Sequence, residues 1–219
     1  MSLLNKLLSQ SKKAELGHDI HENCAITEVS ITGKPDKDGN ASKWNCVTKF
    51  AKYNTEDKII GEKEVQWYNL DHSNEYVRSK FSTQILQIVN ILECFISPEE
   101  VNALIDPILA DFDITDEETL QDVLSDRDNC KNIMEDIAKA YVKEMVKHLN
   151  SDKKVRLKLS FDSKGKYVGA PMYNELVESM SIPKDESKLK FSKTEQENEL
   201  KSKNLSAVTD KPTKKLSSI

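Results

Sequence analysis

Hydrophobic and polar residues alternate with a period of two in the first and last thirds of the chain. The alternation over residues 43–53 predicts a half-buried β-strand, and the β-branched segments 23–32 and 59–70 predict two more. Residues 155–161 show the strictest alternation. The DSKG sequence at 162–165 then predicts a hairpin turn into a short return strand.

Between these two groups of strands the hydrophobic period is helical. Apolar residues spaced by three or four positions predict an amphipathic helix over residues 76–96. Ser97 followed by Pro98 is typical of a helix start, and Thr115 with Glu118 forms a second capping pattern. The segment 76–150 is therefore predicted to be entirely helical.

The two ends of the chain differ from the centre. Residues 1–17 place four leucines on one stripe and predict an N-terminal amphipathic helix that stops at Gly17. Residues 181–219 are poor in apolar side chains and predict a flexible, disordered polar tail, because they bury too little surface to offset their ordering entropy. The domain between them is predicted to span residues 18–180.

The order of the elements predicts an α+β fold. Three strands, a helical segment and a two-stranded hairpin follow one another as in an OB-fold, a five-stranded antiparallel barrel. The helical insertion 76–150 would lie between strands 3 and 4. An ordinary α+β sheet that carries a helical subdomain fits the same order of elements.

Composition restricts the function classes. Charged residues make up 32% of the 219 residues, and no apolar run approaches the roughly 18 residues that a membrane span requires. We expect a cytoplasmic protein without a membrane partner, in the host cytoplasm if the protein is viral. The four cysteines are widely spaced, which favours free thiols over a disulfide framework.

Catalytic chemistry finds no support in the sequence. No phosphate-binding glycine loop, zinc-protease helix or nucleophile elbow is present, so we predict a non-enzymatic protein without a cofactor. His18, His21 and Cys24 have the spacing of metal ligands. A fourth ligand is missing nearby, and we interpret the histidines as polar residues at a strand entrance rather than a metal site.

The strands combine aromatic and basic residues, a composition typical of proteins that stack bases and follow a phosphate backbone. Trp44 and Trp67 could instead belong to the core, whereas Arg156 and Lys158 are predicted to form an outward basic face. The candidate nucleic-acid-binding residues are Lys43, Trp44, Lys49, Lys52, Tyr53, Trp67, Tyr68, Arg156, Lys158, Lys164, Lys166 and Tyr167.

The chain resembles phage-type single-stranded DNA-binding proteins with an OB-fold. The resemblance rests on the strand triplet, the helical insert and the VRLKLSFDSKGKY hairpin followed by PMYNELVES, over roughly residues 20–180. It implies a non-catalytic protein that coats single-stranded DNA and works with replication or recombination proteins. Many relatives end in an acidic, Phe-tipped tail, whereas this sequence ends in KPTKKLSSI.

An alternative function follows from the distribution of charge. The net charge is -5, and residues 97–126 carry ten acidic and no basic residues. This acidic helical lobe would suit a protein-interaction or assembly factor that docks through it and has no affinity for DNA.

Overall fold

The computed structural model describes residues 14–34, 43–68, 75–149, 151–171 and 175–209. Some side chains within these ranges are not described, including those of Lys43, Trp44 and Tyr68. The predicted N-terminal helix falls mostly on residues 1–13, which lie outside the described residues.

The chain is an α+β protein whose five principal strands form a curled antiparallel half-barrel. Strands β1 (Asp19–Lys34), β2 (Lys43–Tyr53) and β3 (Ile59–Tyr68) come first in the chain. Strands β4 (Val155–Phe161), β5 (Val168–Gly169) and β6 (Val177–Ser179) come after the helices. The strand order across the sheet is β3-β2-β1-β4-β5, and β6 pairs with β4.

The curl of the sheet is centred on β1, which pairs with two partners. Its first residues pair with β4 and the remainder with β2, and Cys24 faces both Val155 and Lys52. Just before this point Asn23 adopts a φ of 58°, a left-handed conformation that asparagine tolerates well. The register shift between His21 and Cys24 is the irregularity expected where a strand bends.

In the described part of the chain between β3 and β4 there are four α-helices and a 3-10 turn at Val146–His148. The α-helices are α1 (Glu75–Glu93), α2 (Pro98–Ala110), α3 (Glu117–Ser125) and α4 (Arg127–Met145). The predicted cap at Ser97 is confirmed, because its side chain accepts from the Glu100 amide and the Glu100 side chain accepts from the Ser97 amide. Helix α3 is capped by Asp116 rather than by Thr115.

The main core lies between the inner face of the sheet and helices α1 and α4. Its largest fully buried side chains are Ile26, Phe50, Trp67, Ile88, Ile91, Leu92, Ile133, Met134, Ile137, Tyr141 and Met145. The Thr48 hydroxyl lies 2.7 Å from the Tyr141 hydroxyl, so a hydrogen bond joins sheet and helix inside this core. No helix in the described part of the chain is long and apolar enough to cross a bilayer.

The prediction of a disordered tail is wrong for residues 181–209. This segment contains a 3-10 turn at Lys184–Glu186 and helix α5 (Lys193–Thr209), which packs on β4. Ser192 and Glu195 form a reciprocal cap at the start of α5, and Leu189 is buried. The segment is ordered because it covers β4, a contact that composition does not reveal. Residues 210–219 lie outside the described residues.

Candidate functional site

The outer face of β2 and β3 carries acidic as well as basic groups. The Lys49 amine lies 3.6 Å from the Glu62 carboxylate, and both side chains are partly buried. Glu64 and Gln66 are exposed on the same face. The described part of this face therefore carries charges of both signs, unlike the basic surface expected of strands that follow a phosphate backbone.

Two of the aromatic candidates on β2 and β3 have described side chains, and both are at least half-buried. Trp67 is 1% exposed, donates from Nε1 to the Gln87 Oε1 at 3.0 Å and lies edge-on to Tyr141. The sequence left open whether Trp67 belongs to the core, and the structure places it there. Tyr53 is half-buried, and the Lys154 amine lies 4.4 Å from the centre of its ring.

Four further candidates lie on these two strands. Lys52 is half-buried and faces Cys24 and Gly61 across the sheet. The backbones of Lys43, Trp44 and Tyr68 belong to strands, but their side chains lie outside the described residues. For these three residues the predicted contact with nucleic acid stays a prediction.

The outward basic face predicted on β4 is wrong, because Arg156 and Lys158 are buried. Arg156 donates to Glu178 and to the Ile182 carbonyl, each at 2.8 Å. Lys158 is 1% exposed, donates to the Lys190 carbonyl at 3.0 Å and lies 3.2 Å from the Glu195 carboxylate. The two side chains do point away from the main core, as their alternation predicts, but the C-terminal segment covers them.

The two carboxylates that face these cations are held in their charged forms. Burial alone would raise the pKa of Glu195, but hydrogen bonds from Ser192 and the neighbouring Lys158 together lower that pKa below its usual value. Burial would also raise the pKa of Glu178, but hydrogen bonds from Ser187 and Arg156 outweigh burial and lower that pKa below its usual value. Both carboxylates are therefore charged at neutral pH.

Among the candidates whose side chains are described, those in the loop between β4 and β5 are open to solvent. Lys164 and Lys166 are exposed, and Tyr167 is 74% exposed. These three residues share one short turn, so a cationic and aromatic surface does exist at the hairpin tip.

Two features hold this loop in one conformation. The Asp162 carboxylate accepts from the backbone amides of Lys166 at 2.7 Å and Tyr167 at 3.2 Å. Burial alone would raise the pKa of Asp162, but these backbone hydrogen bonds lower it overall. On the other side the Lys201 amine donates to the Ser163 carbonyl at 3.2 Å, which joins the loop to α5.

A cleft of about 680 Å³ opens beside the loop. Its walls come from β3, α1, the β4–β5 hairpin and the start of α5. The polar residues that line it are Gln66, Thr83, Gln84, Gln87, Ser160, Asp162, Ser163, Ser192, Thr194, Glu195 and Asn198, and Tyr167 stands at its edge. Sequence reasoning missed this cleft, because its walls come from four elements that are distant along the chain.

The two histidines near the start of β1 contact other residues of the protein. The His18 ring packs between Phe161 and Phe191, with ring centres 5.0 and 4.4 Å away. His21 makes a 2.9 Å hydrogen bond with the Gly17 carbonyl. Within the ranges that the structure describes, no three His, Cys, Asp or Glu residues cluster so that they could hold a metal ion.

Comparison with other proteins does not assign the chain to a family. No family model matches the chain, and neither a curated protein nor a solved structure matches it significantly.

Proposed function

We propose that this chain is a non-catalytic single-stranded DNA-binding protein that acts in replication or recombination, and that its β4–β5 loop makes the central contact. The observation that carries the proposal is Tyr167, an aromatic side chain 74% exposed beside the exposed Lys164 and Lys166 on a well-anchored turn. An exposed ring offers a stacking surface for a base, and flanking lysines attract the phosphates on either side.

The topology supports an OB-like barrel as the framework of this site. The order β3-β2-β1-β4-β5 brings β3 and β5 close to each other, as a partly open five-stranded barrel requires. The helices α1 to α4 then form an insertion between the third and fourth strands. OB-folds bind oligonucleotides on the face of strands 2 and 3 and on the β1–β2 and β4–β5 loops, and the proposed contact uses the last of these.

The binding surface therefore lies at the tip of the β4–β5 hairpin and not on the outward face of β4. Arg156 and Lys158 are already paired with Glu178 and Glu195, so they are not available to phosphates while the C-terminal segment covers them. The exposed lysines of the loop have no such partner among the described ion pairs, and they can exchange their counterions for DNA phosphates.

Binding of a fluorescent 20-nucleotide single strand, measured by anisotropy at two or more salt concentrations, tests the proposal. Tyr167→Ala should weaken binding by about 1–3 kcal/mol, the value of one stacked base. Lys164→Glu with Lys166→Glu should weaken binding and lower the slope of log K against log salt by about 1.4, or roughly 0.7 for each lost phosphate contact.

The control for this experiment is Lys58→Glu with Lys143→Glu, an equal change of charge at two exposed sites outside the loop. The control should lower affinity much less than the loop variant does. A parent protein that fails to bind single strands at low salt would overturn the proposal. Equal losses in the loop and control variants would overturn the location of the site.

The acidic lobe supports a second candidate, a protein-interaction or assembly factor. All nine acidic residues of segment 97–126 whose side chains are described are exposed to solvent. Such a surface suits a basic protein partner and repels DNA. Absence of DNA binding in the anisotropy experiment would favour this candidate.

A further inference from the structure

We propose that the cleft beside Tyr167 is a pocket for one unstacked nucleobase, and that it prefers the bases with an exocyclic amino group (adenine, cytosine and guanine) over thymine. This inference rests on the proposed function, and it names the part of the ligand that the cleft receives. Three observations support it: the position of the cleft, the charge of its walls and the carbonyl oxygen of Gln84, which is buried without a hydrogen-bond donor in the described part of the chain.

The position of the cleft fits a strand that is bound at the loop. Tyr167 belongs both to the exposed turn and to the edge of the cleft, so a base that leaves the stack next to this ring reaches the cleft opening. The volume of about 680 Å³ lies within the roughly 300–1,000 Å³ range of small-ligand sites. Trp67 and Phe161 provide apolar wall next to the polar groups.

The charge of the walls disfavours a phosphate in the cleft. No lysine or arginine lines it among the described residues, whereas two carboxylates do: Asp162, and Glu195, which is paired with the buried Lys158. The pKa values of both carboxyl groups lie below their usual values, so both are anionic at neutral pH. Phosphates would therefore stay near the exposed lysines of the loop, and a neutral group that donates hydrogen bonds would enter the cleft.

Gln84 supplies an acceptor that lacks a donor. Its Oε1 atom is shielded from solvent and has no hydrogen-bond partner among the described residues. A buried carbonyl without a partner is unfavourable, and the broad terminal torsion of glutamine lets the amide turn toward a donor that enters the cleft. The neighbouring Gln87 is held in place, because it accepts from Trp67 and donates to the Pro171 carbonyl at 2.7 Å.

An amide next to two carboxylates favours some bases over others. Adenine pairs its amino group and a ring nitrogen with the carbonyl and amine of one glutamine, and cytosine offers the same donor and acceptor neighbours. Thymine has one N–H group between two carbonyl oxygens, and these oxygens would face the carboxylate side of the cleft. The walls therefore favour the amino-bearing bases.

Competition anisotropy with unlabelled 12-nucleotide oligo(dA), oligo(dC) and oligo(dT) tests the inference on the full chain. We expect oligo(dA) and oligo(dC) to bind about fivefold or more tightly than oligo(dT). Gln84→Leu should remove most of this preference and leave oligo(dT) affinity nearly unchanged. Gln84→Glu keeps the acceptor for the exocyclic amino group but loses the amine that pairs with the ring nitrogen, so it should retain part of the preference, which separates hydrogen bonding from a change in packing.

The control is Asn132→Leu, which removes an exposed amide on α4 outside the cleft and should leave all three affinities unchanged. Circular dichroism of each variant checks that it folds. Failure of the parent to bind any of the three strands would overturn the proposed function and this inference together. Binding that depends on Tyr167 but is equal for the three strands, or tightest for oligo(dT), would overturn only the inference.

Discussion

Lys158 and Arg156 show how strongly the surroundings of a residue decide its role. Both occupy alternate positions of a strand whose other face is core, a pattern that normally places a cation in water. In the folded protein each instead makes a buried ion pair and donates to a backbone carbonyl. A buried pair of this kind is costly to break from one side, because the remaining charge is left without compensation.

At this scale we predict that Lys158→Met destabilises the protein by about 3 kcal/mol, because Glu195 would remain buried without its cation. Urea unfolding followed by circular dichroism measures the free energy of unfolding. The double variant with Glu195→Gln should recover more than half of the loss, since it removes the isolated charge and keeps the capping pattern with Ser192. A single variant within about 1 kcal/mol of the parent would contradict the buried pair.

Helix α5 and the β4–β5 hairpin depend on each other. Gly165 adopts a φ of +68° at the tip of the turn, and a Cβ placed there would lie 2.7 Å from the Ser202 nitrogen and 2.9 Å from the Asn198 oxygen. The close approach requires glycine because both nearest atoms belong to the backbone of α5, which cannot move aside as a side chain can. The elements that present Tyr167 and line the cleft therefore form one packed unit.

At the element scale we predict that Gly165→Ala lowers the free energy of unfolding by about 2 kcal/mol, since it combines backbone strain with a clash against α5. Gly169→Ala is the matched control in the same hairpin, because a Cβ there meets nothing within 4 Å. Thermal unfolding of both variants checks the difference. Equal melting temperatures would show that α5 does not pack on the turn.

Hydrogen bonds between distant segments join the sheet and the helices into one body. Trp67 on β3 donates to Gln87 on α1, which in turn donates to the carbonyl of Pro171 after β5. Thr48 and Tyr141 join β2 to α4 in the same core. Each bond crosses between elements and is buried, so loss of one element would leave polar groups unpaired in the others.

At the scale of the whole molecule we predict a single cooperative unfolding transition for the sheet and the helices. The chain has two tryptophans, so a Trp44→Phe variant leaves Trp67 as the only tryptophan, at the contact of β3 with α1. Its fluorescence and the far-ultraviolet circular dichroism should change at the same urea concentration. Two separated transitions would mean that helices α1 to α4 unfold independently of the sheet.

The sequence by itself determined the first three strands, the central helical segment and β4 in their order, but not β6 or α5. Period-two alternation located β2 and β4, the three- and four-residue spacing located α1, and Ser97 identified a helix start, because these signals depend only on nearby residues. The α+β class follows from that order. The exposure of Lys164, Lys166 and Tyr167 was also predictable, since a tight hairpin turn projects into solvent.

Only the tertiary structure decided what covers each face. Alternation shows that Arg156 and Lys158 point away from the core, but it does not show that Glu178 and Glu195, more than twenty residues later, return to pair with them. The polar composition of residues 181–209 hid a segment whose few apolar and acidic side chains match the surface of β4. The cleft likewise exists only where four elements meet, and contacts between residues distant in sequence leave no periodic signal in the chain.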